Sequence, residues 1–187
     1  MGQRIRIGIA GYGNLGRGVE AAIAQNPDTA VAGVFTRRDP ASVRTLGAQV
    51  HRLDAIDACA DAIDVLVLCG GSKSDLPEQG PALAARFNTV DSFDTHARIP
   101  EYFDAVDRAA RANDRTAVIA VGWDPGLFSL ARTYGESVLA DGATYTFWGR
   151  GVSQGHSDAI RRVPGVRAGV QYTVPVPQAI ERVRSGG

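Results

Sequence analysis

Short apolar runs alternate with amphipathic stretches along the first two-thirds of the chain. Ile5-Arg6-Ile7-Gly8-Ile9-Ala10 is a β-branched run ending at Gly11, and over 14–25 the apolar positions Leu15, Val19, Ala22 and Ile23 recur at helical spacing. Asn26-Pro27-Asp28 stops that helix, because proline disfavours helical backbone in the residue before it. The run 31–35 reads as the next strand. Strand, glycine turn, helix and strand within about 30 residues form a βαβ unit, which requires parallel pairing and a right-handed crossover.

The alternation continues with Val65-Leu66-Val67-Leu68-Cys69, a continuous apolar run of the kind covered on both faces. Helices are predicted over 77–87, burying Leu83, Ala84 and Phe87, and over 100–113, where Tyr102, Phe103, Val106, Ala109 and Ala110 share a spacing. The stretches 88–91 and 116–120 read as strands, the second expected to be buried. The fold class this implies is α/β: a doubly wound (Rossmann-type) parallel sheet filling roughly the first 120 residues.

Beyond Gly126 the pattern changes. A helix over 127–139, a half-exposed strand over 143–148, a glycine-rich connection over 149–155, a strand over 169–174 and a helix over 178–184 are expected. The expected organisation is therefore a dinucleotide-binding domain over 1–122, followed over 123–187 by part of an α+β substrate-binding or dimerisation domain. The second piece is short for an independent domain.

Charge narrows the function classes. Lys+Arg 20 against Asp+Glu 20 gives a net charge of zero, which disfavours binding to nucleic acid or an anionic membrane. No run resembles a membrane span or a secretory signal. Two cysteines, Cys59 and Cys69, fit a reducing compartment, and no Cys/His spacing resembles a zinc site, so a cytoplasmic protein without a metal is expected.

Gly11-Tyr12-Gly13-Asn14-Leu15-Gly16 matches the dinucleotide fingerprint in its proper context, after a strand and opening a helix. Gly11 suits the tight turn, Gly13 the approach of backbone to pyrophosphate, and Gly16 close packing of helix on sheet, while the helix N-terminus offers N–H groups to phosphate. About 20 residues further, NAD enzymes place a carboxylate for the ribose 2′-hydroxyl. Here stand Thr36, Arg37 and Arg38 after Phe35, which favour a 2′-phosphate and hence NADP. The competing reading is a solvated arginine pair with Asp39 neutralising one member. Cys69, Gly70, Gly71 and Ser72, at the end of another strand, complete the cofactor-binding candidates.

Ligands of such sheets bind at the carboxyl ends of the strands. Asp91-Ser92-Phe93-Asp94-Thr95-His96 and Gly122-Trp123-Asp124-Pro125-Gly126 follow two of them. Carboxylates aimed into a nicotinamide cleft suit a cationic substrate, such as an ammonium that loses a proton before hydride leaves its carbon. Asp91 and Asp124 suit turns or helix caps equally well, Trp123 a core or cleft wall, and His96 a plain loop position. The polar and glycine-rich stretch from Phe147 to Gly165 reads as a loop meeting a ligand with its backbone, or as a connection in which Ser157 caps a short helix.

Ala10–Arg17, Phe35–Arg38, Gly122–Gly126 and Phe147–Gly165 together resemble meso-diaminopimelate dehydrogenase along essentially the whole chain. The resemblance implies NADP-dependent oxidative deamination of the D-centre of meso-2,6-diaminopimelate to L-2-amino-6-oxopimelate and ammonia, reversible and serving lysine biosynthesis. It implies substrate contacts at Asp94, Trp123, Asp124, Phe147, Trp148, Ser153, Gln154, Gly155, Asp158 and Thr173. Asp94 and Asp124 would hold the reacting amino group as the catalytic pair, the glycine-rich stretch a carboxylate, and Thr173 the distal L-centre.

The family is longer than this chain, and three residues it supplies downstream to grip the substrate, an Arg, a His and an Asn, have no counterpart here. A second polypeptide carrying the missing half, self-association, or both are therefore expected, since a half-built domain exposes strand edges and apolar surface. Two other readings remain: a related aspartate-pathway NAD(P)-dependent reductase, and a truncated or non-catalytic NADP-binding module.

Overall fold

The computed structural model describes residues 4–139, 141–142, 150–161 and 163–186. The chain forms two compact units, one ending at Ala131 and the other beginning at Arg132.

The first unit is built on a six-stranded parallel sheet of β1 (Ile5–Ala10), β2 (Thr29–Thr36), β3 (Val50–Arg52), β4 (Val65–Leu68), β5 (Thr89–Asp91) and β6 (Ala117–Val118). Their order in space is β3-β2-β1-β4-β5-β6, so the winding reverses between β1 and β4. Side chains alternate across each strand. Ile9 and Val34 therefore face one side, where they pack with Ile23 of α1 (Asn14–Ala24) and with Tyr12 and Val43. Ala10 and Phe35 face the other, packing with Leu66, Leu68, Leu83 of α2 (Leu76–Ala84) and Tyr102 and Val106 of α3 (Ile99–Arg111). Helices on both faces of a parallel sheet make this the expected doubly wound architecture.

Two expectations are corrected in this unit. On α1, Leu15 is 44% exposed and Ala22 is exposed too; the buried line is Gly16, Glu20 and Ile23. A charged residue displaces the apolar stripe because Glu20 is satisfied inside the core, accepting from the Tyr12 hydroxyl and from the N–H groups of Leu46 and Ala48 at 3.1 Å. The last strand is not a buried 116–120 run but the two-residue β6, whose Val118 is exposed because, among the described residues, β6 pairs with β5 alone. The stretch before β4, for which no element was expected, holds β3 and a run of 3₁₀ turns over Leu53–Ala62 that buries Ile56.

α4 (Phe128–Val138) follows, close to its predicted bounds. The second unit contains an antiparallel ribbon of β7 (Gly151–Ser153) and β8 (Gln171–Thr173), with α5 (Gln154–Arg161) between them and α6 (Pro177–Arg184) after. The expected connection over 149–155 is thus replaced, where described, by β7 and the start of α5. The strand predicted over 143–148 lies outside the described residues. Ser157 does not cap a helix. It sits within α5, fully buried, donating to the Ser153 carbonyl at 2.5 Å and accepting from the Gln171 N–H at 2.9 Å, which ties α5 to both strands.

Candidate active site

The reversal between β1 and β4 opens a crevice at the carboxyl ends of the strands, as the winding rule requires. Three chain segments converge there. Gly11 donates its N–H to the Phe35 carbonyl at 2.8 Å and Cys69 donates to the Ala10 carbonyl at 2.7 Å, which draws the ends of β2 and β4 onto the end of β1. The resulting cleft of about 270 Å³ is lined by Gly11, Tyr12 and Gly13, by Thr36, Arg37 and Arg38, and by Cys69, Gly70 and Gly71. Phe35, Leu53, Asp75 and Gln79 also line it and were not singled out from the sequence.

Each glycine of the fingerprint meets a different constraint. Gly11 has φ +96, and a Cβ there would lie 3.1 Å from the Cys69 carbonyl. A Cβ on Gly16 would come within 2.4 Å of the Gly11 carbonyl oxygen, so Gly16 serves packing of α1 rather than the cleft wall. A Cβ on Gly13 would meet nothing within 4 Å, so the space beside that backbone is open. Asn14 and Leu15 begin α1, exposed, and α1 has no side-chain cap and no acid in its first turn. Its first N–H groups and the positive end of its dipole are thereby left for an anion.

The two arginines differ. Arg38 donates from Nη2 to the Tyr12 carbonyl, a neutral acceptor, while its N–H is taken by the Thr36 hydroxyl at 3.1 Å. Arg37 pairs through Nη2 with Asp75 at 2.8 Å. Asp39 is not the neutralising acid; it accepts from the Ala41 N–H at 3.1 Å and caps the short turn Pro40–Ser42. The Tyr12 side chain turns away into the core, where burial and then its bond to Glu20 push the phenol up to about 12. Burial likewise pushes the Cys69 thiol to about 12, which makes it a wall and not a nucleophile. Ser72 stands outside the cleft lining, and its hydroxyl accepts from the N–H groups of Asp94 at 2.8 Å and Thr95 at 3.2 Å.

Asp94 and Asp124 leave the ends of the neighbouring strands β5 and β6, and both are exposed. Asp91, by contrast, is buried and makes the turn: it accepts from Phe93 N–H at 2.9 Å, Ala120 N–H at 3.2 Å and the Tyr102 hydroxyl at 2.6 Å. Asp124 accepts from the Ser129 hydroxyl at 3.2 Å, in a turn where Gly126 adopts φ +128. Trp123 is no core residue; it is 68% exposed, its ring 5.4 Å from that of Phe128. His96 lies exposed in a short turn, as expected of a loop position.

In the second unit Ser153 and Thr173 occupy one face of the β7–β8 ribbon, since Ser153 pairs with Gln171 and Gly151 with Thr173. The Ser153 hydroxyl lies 2.9 Å from Nδ1 of His156. The backbone of Gln154, Gly155 and Asp158 belongs to α5, and their side chains, with Phe147 and Trp148 as a whole, lie outside the described residues. Among the described residues there is no cluster of metal-ligating side chains and no helix long and apolar enough to cross a membrane.

Comparison with known proteins decides the family. Residues 122–187 match the diaminopimelic acid dehydrogenase C-terminal domain. The chain is 64% identical over 184 residues to the meso-diaminopimelate D-dehydrogenase of Ureibacillus thermosphaericus, an alignment covering 98% of this chain and 56% of that protein. The chain belongs to the meso-diaminopimelate dehydrogenase family. It spans a little over half the length of the family members it matches. Two solved structures superpose on it. The Corynebacterium glutamicum diaminopimelate dehydrogenase in complex with diaminopimelate has a TM-score of 0.89 at 47% identity, covering 98% of this chain and 57% of the other. An engineered D-amino acid dehydrogenase bound to NADP+ has a TM-score of 0.87 at 46% identity, with the same coverage.

Proposed function

We propose that this chain carries the cofactor cleft and part of the substrate domain of an NADP-dependent meso-diaminopimelate D-dehydrogenase. The observation that carries this reading is the cleft itself: a glycine loop with open space at Gly13, an uncapped helix, and Thr36, Arg37 and Arg38 where an NAD enzyme would hold a carboxylate. The name of the relative at 64% identity and the NADP+ bound to the engineered neighbour support it. Residues 1–122 would form the cofactor domain and 123–187 the start of the substrate and dimerisation domain.

In the proposed reaction meso-diaminopimelate, NADP+ and water give L-2-amino-6-oxopimelate, ammonia, NADPH and a proton. Bound in the cleft, NADP supplies the hydride acceptor. Gly11, Gly13 and the first turn of α1 would hold its pyrophosphate, Thr36, Arg37 and Arg38 its 2′-phosphate, and Gly70 and Gly71 would close the opposite wall. Asp94 and Asp124, anions at the ends of adjacent strands, hold the D-ammonium and orient its carbon. Trp123, Phe147 and Trp148 would contribute further substrate contacts. Ser153, Gln154, Gly155 and Asp158 bind a substrate carboxylate, and Thr173 the distal centre.

We place the protein in the cytoplasm, on its two unpaired cysteines. We also propose that a second polypeptide or a second copy covers the second unit, whose Tyr134, Val152, Tyr172 and Val174 are exposed and apolar. The test is NADPH formation from meso-diaminopimelate by the chain alone and mixed with a polypeptide carrying the remainder of a family member. Activity in either sample supports the reading. NADPH binding with no turnover in both would overturn it in favour of a non-catalytic module.

A further inference from the structure

Among the described residues lining the cofactor cleft, Asp75 is the single carboxylate. A negative charge on the wall of a site for a polyanion opposes binding, so its presence calls for a physical account. It is not a helix cap, because it heads α2 without a side-chain capping bond. Its Oδ2 accepts from the Gly71 N–H at 2.8 Å and its Oδ1 from Arg37 Nη2 at 2.8 Å. The Asp75 side chain is 15% exposed and that of Arg37 67%, so the carboxylate is the anchored member and the guanidinium the movable one. Arg37 follows β2 and Asp75 follows β4, and β1 with its glycine loop lies between those strands. The ion pair therefore spans the cleft from one wall to the other.

We propose that Asp75 competes with the 2′-phosphate of NADP for Arg37, and thereby limits NADP affinity and eases its release. This rests on the NADP reading above. The two arginines are unequal in consequence. Arg38 is bonded to a neutral carbonyl and offers its whole charge to the phosphate, whereas the charge of Arg37 is already compensated. When the phosphate reaches Arg37, two anions share one cation, and the Gly71 N–H favours keeping the second anion beside it.

The test measures NADPH and NADH binding calorimetrically to the 187-residue chain and to Asp75→Asn, Arg37→Ala and the double variant. Asparagine keeps an acceptor for the Gly71 N–H while removing the charge; Asp75→Ser, a smaller neutral acceptor, repeats the measurement if the amide is not accommodated. Asp75→Asn is expected to tighten NADPH about fivefold and to widen the NADPH-over-NADH preference by a similar factor, a gain that Arg37→Ala abolishes. Weaker NADPH binding would mean that Asp75 orients Arg37, and equal shifts for both cofactors would confine its effect to the Gly70–Gly71 turn. Either result overturns the proposal, as does a gain that survives in the double variant. An unsubstituted chain that binds NADPH no tighter than NADH would instead overturn the cofactor reading.

Discussion

The Tyr102 hydroxyl donates to Oδ2 of Asp91 at 2.6 Å inside the core of the first unit. The other oxygen of Asp91 accepts from Phe93 and Ala120 N–H, so one buried carboxylate fastens α3 to the carboxyl ends of β5 and β6. Asp94 and Asp124 lie a few residues beyond those fastened points. Burial, and then the bond to Asp91, raise the Tyr102 pKa from its ordinary 10.0 and keep the phenol protonated as a donor.

Removing one donor costs less than removing the acceptor that three donors share. Tyr102→Phe is expected to destabilise the chain by about 1–2 kcal/mol, leaving Asp91 with its two N–H partners. Asp91→Ala strands two N–H groups and a phenol, and is expected to cost about 3 kcal/mol or more. Urea unfolding of the two variants checks the order, and equal losses would mean that the carboxylate does not integrate the three elements.

The fingerprint glycines separate folding from binding. A Cβ at Gly16 runs into the Gly11 carbonyl at 2.4 Å, so Gly16→Ala is expected to lower the melting temperature and weaken NADPH together. A Cβ at Gly13 meets nothing within 4 Å of protein, so Gly13→Ala is expected to melt like the unsubstituted chain. It should nevertheless bind NADPH about tenfold or more weakly, because the methyl fills the space reserved for pyrophosphate. Thermal melting without cofactor, set against calorimetric binding, distinguishes the two.

Local pattern made much of this architecture legible. β1, the glycine loop, α1 and β2 follow each other in sequence, and each signals its own type by period and by turn residues. What escaped depends on partners far along the chain. Leu15 looks like a core position until Glu20 is seen satisfied by Tyr12 and the 46–48 backbone. The 116–120 run is apolar enough for a central strand, yet among the described residues β6 ends up at a sheet edge, which no local window reveals. Asp75 is four residues past Gly71 and 38 past Arg37, and only the parallel crossover brings the three together. The acids at 94 and 124 carry no local mark either, since carboxylates after strands serve turns as readily as ligands; resemblance to a family singled them out, and Asp91 proved to be the turn-maker.

Cofactor selectivity should rest more on Arg38 than on Arg37. Arg38 donates to a carbonyl and its charge is uncompensated by any described acid, whereas Arg37 is paired with Asp75. Arg38→Ala is expected to weaken NADPH by about tenfold or more and NADH by less than threefold, with Arg37→Ala falling between that variant and the unsubstituted chain. Parallel titrations of NADPH and NADH provide the measurement. Equal losses for both cofactors in Arg38→Ala would remove the basis for 2′-phosphate recognition.

At the opposite end of the sheet, the Arg6 guanidinium reaches Asp64 Oδ1 through Nη2 at 2.7 Å, and the Arg6 N–H reaches Oδ2 at 2.7 Å, joining the start of β1 to the approach of β4. The side-chain bond from Arg6, and next the backbone bond, lower the Asp64 carboxyl from its ordinary 3.8 to about 2. A depressed folded-state pKa means that the unfolded chain binds the proton first as pH falls. The contribution of Asp64 is therefore fully present above 3.8 and is lost as pH drops through about 2. Asp64→Asn has no carboxyl to titrate, so its stability should trail that of the unsubstituted chain at neutral pH and draw level with it in acid. Urea midpoints for both chains between about pH 5 and pH 2 supply the comparison; curves that stay parallel throughout would show that the Arg6–Asp64 contact does not couple to folding.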